Sequence, residues 1–382
     1  MVSAELAPLQ PAAASLLECQ NHYHPELADF PVTSFFWKRI YAELWLKRGV
    51  PRQGLEAAYL SNRWFQRKIV KTLESRRCRH LWEGPPGIFL SWSYIAKDVI
   101  PVFQRHGWKC VVMQLDGAFH EQSIVAAEVA AHPELSPGWR PAPPGYFEDW
   151  QEECNRADHL IANSRWGEQC LEQCGVVANK ITVIPFAAEN QPAAKAPRIY
   201  PRQFDASRPL RVLYVGQMVL RKGIAPLIGA IRALDSAPIQ FDFAGAVGVE
   251  FPADILASPR VRMHGRVARE KIEALFRDAD VFILPTLSDA FALTQLEAMG
   301  WKLPVIASRH CGEVVKHGLN GLILEEISAR AIVEALSGLL RSPETLARMS
   351  QHCAVPPQCE LSHFGRSLVA LENILYPPAP RR

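Results

Sequence analysis

Short apolar runs alternate with helix-like segments between residues 210 and 341, and this alternation limits the possible folds more than any other feature of the sequence. The runs are LRVLYVG, IQFDFAG, VRMHG, VFILP and PVIAS. The segments that follow them predict helices at 223–234, 269–278, 291–300 and 328–341. Strands that alternate with helices form a parallel sheet covered on both faces. This half of the chain therefore predicts a doubly wound α/β domain.

The same alternation, less regular, begins near residue 87. Its apolar runs are GIFLSWS, KCVVMQLDG, HLIANS and KITVIPF, and Ser164 is placed to cap the helix that follows HLIANS. A chain of 382 residues is long enough for two domains. We therefore expect two Rossmann-like domains facing a central cleft, with the chain divided into 1–190, a linker at 191–209, 210–355, and a C-terminal helical segment at 356–382.

The composition and net charge of the chain exclude several classes of protein. A net charge of +3 is too small to require a nucleic-acid partner. The first twenty residues lack the pattern of a secretory signal, and no apolar run is long enough for a transmembrane helix. The nine cysteines include no Cys-x-x-Cys pair, a pattern typical of reduced thiols with no zinc site. We expect a cytoplasmic protein.

Residues 38–79 form a basic segment with two interpretations. It holds twelve Lys or Arg against three Glu, interleaved with aromatic residues, and it predicts helices at 34–49 and 54–75. Arg63, Arg67 and Lys71 form a stripe at four-residue spacing. This segment could dock on an anionic membrane, at its inner face, and reach a lipid-linked acceptor. The alternative is a solvated basic face with its aromatic residues in the core.

Two carboxylates, Asp289 and Glu297, follow the apolar run VFILP. In an open parallel sheet, ligands bind beyond the carboxyl ends of the strands, so both residues lie where a ligand is expected. A helix that begins near Phe291 would present the N–H groups of Phe291, Ala292 and Leu293 to a phosphate. Carboxylates repel a neighbouring phosphate, so their presence here needs another reason. They can accept hydrogen bonds from sugar hydroxyls of the same ligand. The alternative is that Asp289 only caps the helix and Glu297 is solvated.

A second motif, VGQMVLRKG, supports a ligand that contains both phosphates and sugars. Its strand ends at Gly216, and Lys222 opens the next helix, where an ammonium group can reach a diphosphate. The next strand ends at Gly245, where a ligand can approach the backbone. The spacing differs from that of a P-loop, Gly-x-x-x-x-Gly-Lys-Ser/Thr.

Taken together, these pieces resemble the donor-binding domain of retaining glycosyltransferase family 4, which has the GT-B fold. The resemblance rests on VGQMVLRKG, on VRMHGRVAREKIEALFRDADVFILPTLSDAFALTQLEAMGWKLPVIAS and on EVVKHGLNGLIL. It continues more weakly through RADHLIANSRWGEQCLEQCGVVANKITVIPF in the first domain, so that it covers roughly residues 87–340. It implies metal-independent, retaining transfer of a sugar from a UDP- or GDP-sugar to an unidentified glycan or lipid-linked acceptor. It also implies that the terminal helix, HFGRSLVALENIL, packs back on the first domain.

The resemblance implies specific roles in donor binding. Asp289, one methylene shorter than the usual glutamate of the family, would bind hydroxyls of the donor sugar, and Glu297 would bind the ribose. Lys222 would neutralise the departing diphosphate, with a helix N-terminus in place of a metal. Main-chain groups around Arg266 and Val267 would contact the base.

The chain departs from the family pattern at three places. Gln217 stands where the family often has arginine. Arg221, four residues later in the chain, is the candidate to replace that arginine. In the first domain, either Asp116 or His120 stands where many members carry a histidine near the donor sugar. No strand with a glycine-rich loop is recognisable before residue 86, so either the natural chain begins upstream or this domain is built differently.

Two other functions stay open at this level. A sugar-nucleotide-binding or scaffold protein of the same fold would bind the donor without turning it over. A nucleotide-sugar epimerase would need acid–base residues facing the sugar ring, for which Asp116, His120 and Glu121 are the candidates.

Overall fold

The computed structural model describes residues 54–188 and 196–377, and two parallel sheets organise them. The first sheet has the strand order β1-β2-β3-β4, with the strands β1 Ile88–Trp92, β2 Lys109–Met113, β3 His159–Ala162 and β4 Ile181–Val183. Its helices are α1 Gly54–Leu73, α2 Ile100–Gln104, α3 Ala118–Ala131, α4 Tyr146–Arg156 and α5 Arg165–Gln173.

The second sheet has six strands in the order β10-β9-β8-β5-β6-β7. The strands are β5 Leu210–Val215, β6 Ile239–Ala244, β7 Val261–Gly265, β8 Val281–Leu284, β9 Val305–Ser308 and β10 Gly321–Leu324. Its helices are α6 Ile224–Ala233, α7 Ala253–Leu256, α8 Arg269–Asp278, α9 Thr294–Gly300, α10 Ala329–Arg341 and α11 Pro343–His352. From β5 the chain builds outward first through β6 and β7 and later through β8, so the topological switch point lies between β5 and β8.

Burial on both faces explains why the strands of the second sheet are continuously apolar. Along β5, Val212 and Tyr214 contribute to the core on one face of the sheet, whereas Leu213 and Val215 contribute to the core on the other face. Adjacent strand residues point to opposite faces, so helices must cover both. Burying each large side chain fully stabilises the fold by about 1.5–3 kcal/mol.

The last helix, α12 Leu361–Leu375, leaves the second unit and packs on the first sheet. Leu371 is buried there against side chains from strands β2 and β3 and the residue after β4, namely Val111, Met113, Ile161 and Ile184. Phe364, Leu368 and Leu375 lie beside it, partly buried. The Tyr376 hydroxyl donates to the Gly87 carbonyl (3.0 Å) and accepts from the Lys109 N–H (3.2 Å). The predicted return of this helix to the first domain is confirmed.

The predicted strand positions are confirmed in both sheets, and several helices differ from prediction. Helices α3, α7 and α11 and strand β10 have no counterpart among the predicted elements. The helix predicted from Phe291 begins at Thr294. The sequence pattern predicts that α1 packs through Leu55, Ala58, Asn62, Phe65 and Ile69, but its buried residues are Gln66, Ile69 and Leu73, and Leu55 is exposed. The helix predicted at 34–49 lies outside the described residues.

Within residues 54–188 and 196–377, no helix has the length and apolar character needed to cross a bilayer.

Candidate active site

The carboxyl ends of the two sheets face each other, and direct hydrogen bonds join them. Ser164 caps α5 by accepting the Gly167 N–H (3.0 Å), as predicted, and its hydroxyl donates across the cleft to the Ala290 carbonyl (2.6 Å). Trp166 Nε1 donates to Ser288 Oγ (3.0 Å) from the same turn of helix. The loop after β8 is therefore held against the first unit.

Glycines bring the loops of the second unit together at the switch point. Gly223 has φ +72°, and a Cβ there would lie 1.8 Å from the Pro285 carbonyl oxygen. Gly245 has φ +140°, and its Cβ would lie 1.9 Å from the Gly216 carbonyl oxygen. No other residue fits either position. The first contact sets the Lys222 loop against the end of β8, and the second packs the turn after β6 on the turn after β5.

This packing places Lys222 and Asp289 in contact as a buried ion pair, with Lys222 Nζ on Asp289 Oδ2. Only 14% of the lysine side chain and 13% of the aspartate side chain are exposed. Burial, followed by the charge of neighbouring Arg221, lowers the pKa of Lys222 to about 7. The Asp289 carboxylate in contact with the ammonium acts in the opposite direction. The site therefore holds the Lys222 side chain, paired with a carboxylate, in a nearly dry environment.

Arg221 extends from the same loop towards the first unit. Its Nη1 donates to the Ser288 carbonyl (2.8 Å), and its Nε lies 3.4 Å from Glu121 Oε1. Ser288 Oγ donates to the other oxygen of that carboxylate, Glu121 Oε2, at 2.7 Å. Glu121 belongs to α3, so this carboxylate connects the two units.

The predicted anion site on Phe291, Ala292 and Leu293 lies in the turn before α9, which starts three residues later than predicted, and the site stays a prediction. The Phe291 N–H faces Asp289 Oδ1 (3.4 Å), and Ala292 has a left-handed φ of +64°. The Phe291 ring is buried. The side chains of Lys222 and Arg221 supply cationic groups near the switch point.

Glu297 lies in the first turn of α9 and is half-buried. Burial raises the pKa of its carboxyl group, and the charge of Arg269 acts against this shift. The carboxylate accepts no hydrogen bond from any side chain or backbone group in the described part of the chain, so its acceptor capacity is available to a ligand. Arg266 is exposed and Val267 half-buried after β7, and the Gln217 side chain is exposed after β5.

Asp116 and His120 occupy different environments at the first sheet. Asp116 Oδ1 accepts the Tyr94 hydroxyl (2.5 Å) and the Ala118 N–H (2.9 Å). Tyr94 and Ala118 have positive φ values of +71° and +49°, so backbone strain is concentrated around this carboxylate. The His120 ring lies 6.2 Å from the Trp166 ring.

Four residues of this cleft have no predicted donor-site role: Ser288, Trp166, Glu121 and His310. The Trp166 ring stacks on His310 at 4.0 Å. Ser288 is adjacent to Asp289, and Trp166 is two residues after the Ser164 cap. Their positions after strand ends could therefore have indicated that they lie in the cleft. Which of these side chains cross the cleft depends on how the domains are oriented, and no local pattern encodes that.

A cavity of about 330 Å³ lies beside the Trp166–His310 stack. Its lining combines apolar and polar groups and includes Gln169, Ser308 and Gln295. Gln295 Nε2 donates to two carbonyls, those of Phe291 (2.8 Å) and Gly312 (3.1 Å). This arrangement fixes the amide orientation, and it leaves Gln295 Oε1 without a hydrogen-bond donor among the described residues.

Over residues 54–188 and 196–377, no group of three or more His, Cys, Asp or Glu residues is arranged to hold a metal ion. Metal independence stays a prediction.

Residues 209–342 match the family model described as Glycosyl transferases group 1. Two relatives are the putative colanic acid biosynthesis glycosyltransferase WcaL of Escherichia coli K12 and the amylovoran biosynthesis glycosyltransferase AmsK of Erwinia amylovora. WcaL is 25% identical over 57% of this chain and 53% of its own length. AmsK is 27% identical over 46% of each chain. The chain thus spans about half the length of these curated relatives.

Solved structures show the same architecture at low identity. Sucrose-phosphate synthase from Thermosynechococcus elongatus superposes with a TM-score of 0.61 and 19% identity, covering 82% of this chain and 79% of that one. Anabaena HepE, solved with UDP, gives a TM-score of 0.56 and 15% identity, covering 80% and 81%. The chain therefore has the GT-B fold, and residues 209–342 carry a Glycosyl transferases group 1 domain.

Proposed function

We propose that this protein transfers a sugar from a nucleotide-sugar donor to an acceptor hydroxyl. The observation that carries the proposal is the buried Lys222–Asp289 pair, with Arg221 beside it, at the switch point of a Glycosyl transferases group 1 domain. A lysine at this point can bind a diphosphate, and an aspartate there can accept hydrogen bonds from sugar hydroxyls. The donor would need to separate the pair and take one interaction from each partner.

The proposed reaction forms a bond between the acceptor oxygen and the anomeric carbon and breaks the bond from that carbon to the diphosphate. The electron pair of the broken bond stays on the diphosphate oxygen, which can also accept the proton that the acceptor hydroxyl loses. Lys222 and Arg221 would stabilise that negative charge, and a nearly dry site strengthens the interaction. Asp289 would orient the sugar, and the Glu297 carboxylate would accept the ribose hydroxyls.

We propose a uridine diphosphate sugar as the donor, because structures of HepE contain UDP and UDP-glucose. GDP-sugars remain the alternative to be tested. Retention of configuration and metal independence rest on the family resemblance alone. Proton NMR of the product anomer tests the first, and activity in the presence of a chelator tests the second.

We propose a glycan as the acceptor, since two relatives are named for the biosynthesis of colanic acid and amylovoran. The cavity beside Trp166 supports this choice, because an aromatic side chain and the polar groups of Gln169 and Ser308 suit a sugar. Adding candidate oligosaccharides to an assay of donor turnover tests it, and a Trp166→Ala variant should raise the acceptor KM.

The described part of the basic segment, residues 54–79, is a second candidate for binding, in this case to a membrane. Arg63, Arg67 and Lys71 are exposed along one side of α1, while Tyr59 and Phe65 are half-buried. We propose that this stripe contacts an anionic membrane from the cytoplasmic side. Co-sedimentation with vesicles of phosphatidylglycerol and phosphatidylcholine, compared with phosphatidylcholine alone, should show binding that a triple change to glutamine abolishes.

Donor binding is tested by thermal unfolding with UDP, GDP, ADP and their sugars. A ligand at a hundred times its Kd stabilises the native state by about 2.7 kcal/mol, a shift of a few degrees. We expect the shift to disappear in Glu297→Gln and in the double variant Lys222→Met/Asp289→Asn, which leaves no unpaired buried charge. Exposed Glu270→Gln and Lys271→Gln are the matched controls.

Absence of a shift with every nucleotide would contradict the proposed donor site. A shift without release or transfer of sugar, over a panel of acceptors, would favour the sugar-nucleotide-binding protein over the enzyme.

A further inference from the structure

Both cations of the proposed diphosphate site are already neutralised by carboxylates of the protein. Asp289, from the second unit, contacts Lys222. Glu121, from α3 of the first unit, contacts Arg221. The second pairing is unexpected because Glu121 belongs to the opposite side of the cleft.

The contacts of Glu121 fix its carboxylate between the units. One oxygen accepts the Ser288 hydroxyl at 2.7 Å, and the other lies 3.4 Å from Arg221 Nε. Trp166 Nε1 donates to the same Ser288 hydroxyl at 3.0 Å. Only 12% of the Glu121 side chain is exposed.

A carboxylate in this setting resembles an oxyanion of a phosphate. Guanidinium groups bind carboxylates and phosphates through the same donors and geometry. A diphosphate that approached Arg221 while Glu121 stayed in place would meet a second negative charge in a nearly dry site, which is unfavourable. Burial raises the pKa of Glu121, Arg221 opposes that shift, and the charge of Asp116 adds to it.

We infer that Glu121 occupies the position of a donor phosphate oxygen on Arg221 while the cleft is empty, and that donor binding displaces it. This inference rests on the proposed function. Glu121 is then a positioning residue: it holds Arg221 extended towards the first unit, and it opposes any anion that binds there. Its removal should strengthen the binding of phosphate-bearing ligands and leave neutral ones unaffected.

The test compares wild type, Glu121→Gln and the control Glu172→Gln by calorimetric titration with UDP, inorganic pyrophosphate and uridine. The glutamine oxygen can still accept the Ser288 hydroxyl, so only the charge is lost. We expect Glu121→Gln to bind UDP and pyrophosphate about tenfold more tightly, with the affinity for uridine unchanged. Glu172, which is exposed on α5, should behave as wild type.

UDP that binds wild type and binds Glu121→Gln equally or more weakly would overturn the inference and leave the proposed function standing. An equal gain for uridine would also overturn it, because the effect would not depend on phosphate. Failure of every ligand to bind any of the three proteins would overturn the proposed function and this inference together.

Discussion

Lys222 and Asp289 are 67 positions apart in the chain, yet they form a buried ion pair at the ends of neighbouring strands. Lys222 follows β5 and Asp289 follows β8, the two strands on either side of the switch point. Because β5 and β8 belong to the two outward paths of the sheet, the loops that follow them diverge and leave a crevice for a ligand. The pair closes that crevice with groups that a diphosphate and a sugar hydroxyl can each replace.

The affinity for a UDP-sugar should fall as pH rises through about 7 towards 9. Burial lowers the pKa of Lys222 to about 7, so this ammonium loses its proton in the free protein over that range, while the diphosphate of a UDP-sugar keeps its charge. Once the lysine is neutral, each further unit of pH should weaken binding by up to about tenfold. Calorimetric titration between pH 6 and 9 measures this dependence.

The Lys222→Arg variant is the control for this dependence, because arginine stays charged throughout the range. Its affinity should vary less with pH than that of wild type, even if the affinity itself is lower. Equal pH dependence in the two proteins would show that another group titrates.

Glu153 should make the protein less stable as pH rises from about 4.5 to about 7. Burial raises the pKa of its carboxyl group to about 7, against the effect of three backbone N–H groups that donate to it, those of Tyr94, Ala96 and Lys97. The folded state then binds more protons than the unfolded state in this window, so its stabilisation is complete below the window and lost above it. The total is roughly 3 kcal/mol.

Urea unfolding at several pH values, for wild type, Glu153→Gln and the exposed control Glu148→Gln, measures the contribution. The decline in stability between pH 4.5 and 7 should be smaller in Glu153→Gln than in the other two proteins. Parallel curves for all three would show that Glu153 is ionised throughout.

Gly245→Ala should disrupt the second unit. The added methyl group would lie 1.9 Å from the Gly216 carbonyl oxygen, and φ of +140° is unfavourable for alanine. We expect a loss of about 3 kcal/mol or more in the free energy of unfolding. Gly338→Ala is the matched control, because it lies within α10 with no atom within 4 Å of its Cβ position. That change should stabilise the protein by about 0.5–1 kcal/mol, and a similar effect of both changes would contradict the proposed contact.

Leu371→Ala should detach α12 from the first sheet. Leu371 is 3% exposed, whereas Ile374 on the same helix is 62% exposed. We expect Leu371→Ala to cost about 2–4 kcal/mol in urea unfolding and Ile374→Ala less than about 0.5 kcal/mol. Equal effects would show that α12 is stabilised by its own helical propensity and not by packing.

The sequence was sufficient to predict the positions of the strands, because burial on both faces makes them continuously apolar. The predicted ranges of LRVLYVG and VFILP agree with β5 and β8 within a residue. The same pattern did not reveal α3, because five of its fourteen residues are alanine and the others form no clear apolar face. It also misplaced the start of α9, since the left-handed backbone of Ala292 leaves no trace in local propensity.

The candidate site could be predicted only where it depends on strand ends. Lys222, Asp289 and Glu297 follow strands in the sequence, so their position near the switch point was predictable. The contacts of Glu121, Ser288 and Trp166 were not, because they depend on how two separately folded sheets face each other. The pairing of Lys222 with Asp289 was also missed, since each was assigned to a ligand and not to the other.

Because α12 returns to the first sheet, the whole second unit is an insertion between β4 and α12. During synthesis, β1 to β4 emerge early but keep an apolar face uncovered until residues 361–375 have been made. The inserted unit needs no such late segment for its sheet and can fold first. A nascent or prematurely terminated chain would thus expose Val111, Met113, Ile161 and Ile184 to chaperones or to aggregation.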